Sequence, residues 1–425
     1  MSTTSATATS RDDVPASLQG ETPLPIVRSP MLDNQGQLFA YELLFHRETL
    51  DTDEEAALMR RLLTTITDGV MTQLVRGNRA FLRLSRDLLL EQTDVLAHQP
   101  RLGIIVDPQS VADADLMQRL QQLSQRSCAL LLDLSALDAS GATPYSHLEP
   151  LLRLVKYVRL DASVLDASTL ARQSEQLHER GLGVIAGNVD NHEVYGRCQR
   201  LPIQAVQGHY LLVPEQIEVP VLTASSLSML RLMNALQENN PGPVELGEIV
   251  RDDAVLSYKL LGCVNSAYFA LPRQLKSVQQ AAIFFGASRM RNWIYTMALS
   301  GMDDRPPELL RTALIRAHMC ERLAQGMPNE QQEMAFTTGL FSLLDTLMCA
   351  PMDYVLQHLP LAPEISSALL RQQGPFAPLL EQILRWEAGE MRSIDVQPQQ
   401  IRRMASTYLE ATRWADHIYS FAEAA

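Results

Sequence analysis

The sequence predicts an eight-stranded α/β barrel followed by an all-helical domain, and three observations carry that prediction. Between Pro25 and about Val213, short aliphatic runs alternate with helical patterns, as a parallel α/β fold requires. Beyond about Glu215 the strand-like runs stop and the apolar residues recur at helical spacing. Between the two halves lies VPEQIEVP, whose two prolines resist continuing either element. The expected division is a polar tail over 1–22, a barrel over 23–215 and a helical domain over 216–425.

The eight strand candidates are PIV at Pro25, LFAYELL at Leu38, AFLRLS at Ala80, GIIV at Gly103, ALLLD at Ala129, YVRLD at Tyr157, GVIA at Gly183 and AVQG at Ala205. Thr52-x-x-Glu55 reads as a capping box opening a helix with Leu58, Leu62, Ile66, Val70 and Leu74 on one face. Helices are also expected from Val111 to Leu123 and from Leu170 to Arg180, the second stopped by Gly181. In the second half, Leu227, Leu230, Met233 and Leu236 mark one helix and Val255 to Val264 another. Ser277-x-x-Gln280 opens the next, and Ser288 caps one running to Ser300. Later helices are expected from Leu310 to Ala324 and from Phe336 to Met348.

At 425 residues the chain is too long for one ordinary core, and a hydrophobic fraction of 46% with 20% charged residues is enough for two. A net charge of −13 disfavours nucleic acid and anionic membranes as partners. The five cysteines (Cys128, Cys198, Cys263, Cys320, Cys349) are scattered and form no C-x-x-C pair, so neither a disulfide framework nor a zinc site is expected. The first twenty residues lack the apolar stretch of a secretory signal, and no run is long enough to span a bilayer. A cytoplasmic location is therefore expected.

The segment RSPMLDNQGQLFAYELLFH, Arg28 to His46, resembles the start of an EAL domain, the barrel that hydrolyses cyclic di-GMP. The name-giving triplet reads Glu42-Leu43-Leu44. LGEIVRDDAVLSYKLLGCVNSAYF (Leu246 to Phe269) and SVQQAAIFFGASRMRNWIY (Ser277 to Tyr295) resemble an HDOD domain, and the order is that of the EAL–HDOD family. The barrel is shorter than a typical active EAL domain. Active members hold two metal ions on carboxylates and an asparagine, a sensible arrangement because hard cations need several oxygen ligands. The resemblance implies a degenerate version of that site. Glu42, Asp133 and Asp161 persist, while Arg83 stands at the asparagine position. Ile104 and Asp107 stand for two glutamates, Leu134 for an aspartate, Arg159 for lysine and Gly187 for glutamate. Gln207 keeps its place.

Glu42, Arg83, Asp107, Asp133, Arg159, Asp161 and Gln207 are thus expected to form a vestigial nucleotide pocket, with no catalytic residue, metal or cofactor. Alternation along AFLRLS turns Arg83 into the barrel, where an ion pair with Glu42, or failing that Asp133, is expected. In the helical half, Ser342-Leu343 stands where an active relative would have its His-Asp pair, and Arg316 where it would have an earlier histidine. His318 and Asp345 read as structural rather than ligating. Asn265 and Ser266 either contact a partner or cap a helix, Trp293, Tyr295 and Met297 read as core, and Cys263 as an inert small hydrophobe.

The resulting expectation is a non-catalytic regulatory or scaffolding protein in bacterial signalling, not an enzyme. It would act on signalling proteins as partners, with room for homo-oligomers and with weak or no cyclic di-GMP binding. The alternatives are a cyclic di-GMP receptor that binds through Gln207, Arg159 and Arg83 without turnover and, last, an active phosphodiesterase.

Overall fold

The computed structural model describes residues 25–45, 57, 60, 75, 77–91, 101–126, 128–135, 145–213, 223–237, 241–251, 253–302, 305–359, 361–390 and 397–423. Eight strands close a barrel in sequence order: β1 (Ile26–Leu32), β2 (Leu38–Phe45), β3 (Arg79–Arg83), β4 (Leu102–Val106), β5 (Ala129–Asp133), β6 (Tyr157–Asp161), β7 (Gly183–Gly187) and β8 (Ile203–Gln207). All eight runs picked out from the sequence are strands. Strand β1 runs antiparallel to both neighbours, with Ser29 opposite Glu42 and Met31 opposite Gln207, and the other pairings are parallel.

Strand alternation sends one set of side chains inward, where Met31, Ala40, Phe81, Ile105, Ala129, Leu131, Ile185 and Ala205 form an apolar plug. The opposite set, including Leu82, Ile104, Leu130 and Val158, packs outward into a core that continues through the helical domain. Around the barrel lie α1 (Arg86–Glu91), α2 (Ala114–Gln125), α3 (Glu149–Leu152), α4 (Ala167–Glu179) and α5 (His192–Cys198).

The helical domain comprises α6 (Ala224–Gln237), α7 (Pro243–Arg251), α8 (Ala254–Val264), α9 (Val278–Phe285), α10 (Ala287–Leu299), α11 (Pro307–Leu323) and α12 (Asn329–Phe341). It continues with α13 (Leu344–Met348), α14 (Met352–Gln357), α15 (Pro363–Arg371), α16 (Ala377–Glu387) and α17 (Pro398–Glu423). Among the described residues, no helix is long and apolar enough to cross a membrane.

Several expectations need correction. The helix expected from Val111 begins at Ala114, because Asp113 caps it by accepting from the Leu116 N–H at 3.0 Å. Ser288 is not a cap: α10 starts one residue earlier, after Gly286 at φ +94°. The helix expected from Phe336 to Met348 is two helices broken at Ser342–Leu343, the place where the chain meets Arg316. The Ser277 cap is present, with its hydroxyl accepting from the Gln280 N–H at 3.1 Å. The tail, the Thr52 capping box and all five residues of the Leu58–Leu74 stripe lie outside the described residues, as does the linker from Pro214 to Leu222.

No helix separates β1 from β2, because a tight turn joins them. The Asp33 carboxylate accepts from the Gln35 and Gln37 N–H groups, and Gly36 takes the left-handed conformation at φ +73°. The outer face of this hairpin is therefore free to be covered by the second domain. Helices α11 and α17 provide that cover, reaching Arg28 on β1 and Tyr41 on β2.

Candidate functional site

The site expected from the sequence lies where the barrel strands end, on the face that carries the chemistry in α/β barrels. Glu42, Asp133 and Gln207 are buried there at 5%, 6% and 7% exposure. Two arginines lie between the acids. Arg159 donates from Nη1 to Glu42 Oε2 at 2.6 Å and to Gln207 Oε1 at 3.0 Å, and from Nε to Asp133 Oδ1 at 3.1 Å, with Nη2 on Asp133 Oδ2. Arg83 points inward and pairs through Nη1 with Asp107 and through Nη2 with Asp133. Gln207 completes the chain, donating to Glu42 Oε2 at 2.7 Å and to Ser29 Oγ at 3.0 Å.

Glu42, the first partner expected for Arg83, is instead held by Arg159, and Arg83 takes Asp133 and the more exposed Asp107. Space explains the arrangement. A Cβ placed on Gly187 would lie 3.0 Å from Arg159 Cδ and 3.2 Å from its Cγ, so the glycine leaves room for Arg159 where any side chain would crowd it. The glutamate implied by the resemblance at this position would block the path that the arginine takes.

A second correction concerns β4. The sequence reading placed Ile104 at a ligand position, but the pleat turns Ile104 outward and Ile105 inward. Leu134 also faces outward into the main core. Asp161 stays outside the arginine network. Its Oδ1 accepts from the Ser163 N–H and hydroxyl, and its Oδ2 accepts from Asn188 Nδ2 at 2.7 Å.

Burial works to raise the Asp133 pKa, but the hydrogen bonds and charge of Arg159, with the hydrogen bonds of Ser135, override it and hold the carboxyl well below the usual carboxylate range. For Arg159, burial opposes the charge, and Asp133 and Glu42 reverse that and raise its pKa. Asp133 and Arg159 therefore hold each other in their charged forms.

These residues do not fit a two-metal centre. The facing oxygens of Glu42 and Asp133 already accept from guanidinium groups, Ile105 offers no oxygen, and among the described residues no group of three His, Cys, Asp or Glu could hold a metal. Nor do Arg83 and Arg159 stand as free cations for a phosphate. Two arginines face three carboxylates, so one net negative charge meets an arriving anion.

The helical domain repeats the arrangement on a smaller scale. Arg316 donates from Nε and Nη2 to the Glu387 carboxylate at 3.0 and 2.7 Å, and from Nη1 to Ser342 Oγ at 3.2 Å. The two altered positions picked out there, Arg316 and Ser342, are thus in contact. His318 stacks on Trp414 with ring centroids 4.8 Å apart, between Glu321 and Glu410. Asp345 accepts from the N–H of Thr346 at the start of α13.

Residues 222–360 match the family model of the HDOD domain. The chain carries an HDOD domain. Over nearly its whole length the chain is also similar to two curated proteins. YuxH of Bacillus subtilis (strain 168) is 25% identical over 407 residues, covering 92% of this chain and 98% of YuxH. CdgJ of Vibrio cholerae serotype O1, named a cyclic di-GMP phosphodiesterase, is 24% identical over 409 residues, covering 92% of each chain. Among solved structures, the EAL-like domain protein YdiV aligns with 43% of this chain and 89% of its own (19% identity, TM-score 0.34). The FimX EAL domain of Pseudomonas aeruginosa bound to c-di-GMP aligns with 45% and 90% (20% identity, TM-score 0.34).

Between barrel and HDOD domain lies a polar contact that the sequence reading missed. Arg28 donates from Nη1 to Asp416 Oδ2 at 3.1 Å and from its backbone N–H to Tyr408 Oη at 3.1 Å, and its guanidinium covers the Tyr41 ring at 4.8 Å. Tyr41 donates to Glu308 Oε1 at 2.9 Å, and Arg311 also pairs with Glu308. Alternation in RSP and AYE offered a signal. If Ser29 and Glu42 face inward, Arg28 and Tyr41 face outward, and a buried arginine there needs an acid from elsewhere.

In the HDOD domain, Asn265 exchanges hydrogen bonds with the backbone of Leu275 at 2.7 and 2.8 Å, pinning the loop before α9. Ser266 Oγ lies 3.1 Å from His417 Nε2. Cys263 is buried, and burial pushes its thiol up to about 12, too high for a reactive thiolate.

Proposed function

We propose that the protein is a non-catalytic regulatory module of cyclic di-GMP-related signalling, acting through contacts with other proteins. The observation that carries this reading is the position of Arg159, which spans from Glu42 to Asp133 through the space left by Gly187. An arginine seated among would-be ligands supplies no Lewis acid and no metal-activated water, which supports a reading without two-metal hydrolysis at this site. The same contacts argue against the receptor reading, because Arg83 and Arg159 would have to leave three carboxylates to take up two phosphates.

The name of CdgJ favours the enzyme reading instead, and at 24% identity over most of both chains it is the specific observation on that side. The readings separate in two measurements on the intact protein: calorimetric titration with cyclic di-GMP, then hydrolysis with magnesium or manganese. We expect no linear product and no saturable heat in the micromolar range. Linear product that disappears in a Glu42→Ala variant would establish the phosphodiesterase, and saturable binding without product would establish the receptor.

A further inference from the structure

The barrel has a second end, opposite the mouth, where the charges are arranged the other way. Strands β2 to β8 all start there, so the loops that precede them share one face. At its centre is Arg79, the first residue of β3. Alternation turns Arg79, Phe81 and Arg83 inward at successive levels. Phe81 belongs to the plug, Arg83 to the carboxylates of the mouth, and Arg79 lies on the far side of the plug.

The neighbours of Arg79 are neutral. Its Nη1 donates to Tyr157 Oη at 2.6 Å, and its guanidinium stands 5.5 Å from the Tyr157 ring centroid and 5.8 Å from that of Phe39. The register shift between β1 and β2, from Leu32 opposite Leu38 to Met31 opposite Ala40, sets Phe39 against the plug beside Tyr157. Each arginine of the mouth bridges two carboxylates. Half-buried Arg79 meets a phenol and two rings, and most of its five N–H donors are left for an anion.

The positive charge continues around it. Arg101 before β4, Lys156 before β6 and Arg200 before β8 are exposed, and Arg101 reaches over Gly77, two residues from Arg79. Among the described residues no carboxylate pairs with any of these four cations, and the stretches 77–78, 153–156 and 199–202 contain no acid. Cations are ordinary at helix C-termini, where the macrodipole favours them, and Arg126 and Arg180 stand at the ends of α2 and α4 in that way. Arg153 and Arg180 are also matched by Glu149, at 3.4 and 3.0 Å. Neither account reaches Arg79, Arg101 or Lys156, which stand where strands begin.

We propose that this face of the barrel binds an acidic segment of a partner protein, with one carboxylate forking onto Arg79 and its neighbours lying against Arg101, Lys156 and Arg200. A short segment keeps its charges within the cross-section of the barrel. A nucleic acid or an anionic bilayer carries phosphates well beyond it, over a chain whose net charge is −13. The proposal deepens the protein-interaction reading and rests on it. Its test addresses the base of the barrel alone, so it can fail whatever the mouth binds or hydrolyses.

The test uses the full chain and fluorescence anisotropy with labelled hexaglutamate, hexaglutamine and oligouridine, and co-sedimentation with vesicles containing phosphatidylglycerol. Saturable binding of hexaglutamate is expected, weakening several-fold as salt rises from about 50 to 300 mM. No binding of hexaglutamine is expected, and oligouridine and the vesicles should bind more weakly than hexaglutamate. Arg79→Gln is expected to weaken hexaglutamate about tenfold, the loss of roughly one charge-assisted hydrogen bond. Arg101→Glu combined with Lys156→Glu, both at exposed positions, is expected to weaken it as much and covers the case in which Arg79→Gln does not fold. Arg251→Glu, at a 70% exposed position on α7, is expected to leave the affinity unchanged and so separates a local site from net charge. No saturable binding of hexaglutamate, equal or tighter binding of oligouridine or the vesicles, unchanged affinity in the double variant, or a comparable loss in Arg251→Glu would each overturn the proposal.

Discussion

The barrel mouth and the Arg316 site use the same substitution in different surroundings. In the HDOD domain one arginine meets one carboxylate, with side chains 5% and 13% exposed, and the charges cancel. In the barrel two arginines bridge three carboxylates, a negative charge is left over, and the Asp107 end of the chain is 55% exposed. A lone buried pair has no substitute when one member goes. A bridged network can pass its hydrogen bonds to the members that remain. The comparison therefore predicts a brittle site in the HDOD domain and a tolerant one in the barrel.

The largest effect is expected at Arg316. Arg316→Met strands the Glu387 carboxylate and should cost about 3–5 kcal/mol in urea unfolding. Adding Glu387→Met should recover most of that loss, since a well-packed apolar pair often equals a buried ion pair. A loss below about 1 kcal/mol in the single variant would remove the contrast with the barrel.

Arg159→Met should cost less, about 2 kcal/mol, because Glu42 keeps Gln207 and Asp133 keeps Arg83 and Ser135. The loss should depend on pH in a definite sense. Asp133 has a native pKa below its unfolded value of about 3.9, so its contribution is complete above that pH and fades as the pH falls toward the native pKa. The gap between wild type and Arg159→Met, measured by urea unfolding from pH 7 to pH 3, should narrow on the acid side. A gap that stays constant across this range would assign the loss to packing rather than to Asp133.

The smallest effect belongs to Arg83→Asn. One of its two partners is largely solvated and the other keeps Arg159, so a cost of about 1 kcal/mol is expected, with no gain of hydrolysis. Activity appearing in this variant would mean that Arg83 alone silences the barrel.

Strand positions and the inward turn of Arg83 were legible in the sequence because period-two alternation fixes both once one residue is placed. The same rule should have placed Ile105 inward, but matching a motif by residue spacing overrode the pleat and selected Ile104. Which acid each arginine would choose was not legible. That choice depends on the clearance above Gly187, a distance between strands that lie far apart in sequence. The end of α12 was hidden for a similar reason. No proline or glycine interrupts Phe341-Ser342-Leu343, and the break coincides with the contact of Ser342 and Arg316. The role of Glu387 was invisible because its partner is 71 residues away.

The β1–β2 hairpin carries two kinds of residue on opposite faces. Ser29 and Glu42 belong to the mouth, while Arg28 and Tyr41 belong to the contact with α11 and α17. Dissection and descent are both affected. A fragment cut at the linker would bare Arg28 on one piece and Glu308 and Asp416 on the other, so neither half can be exchanged for a homologue without replacing its opposite number. Substitutions on the inward face can alter the mouth without touching the domain contact, while the outward face of the same two strands carries that contact. The chemistry of the mouth and the cohesion of the domains thus draw on alternate residues of a single short ribbon, and one can change without undoing the other.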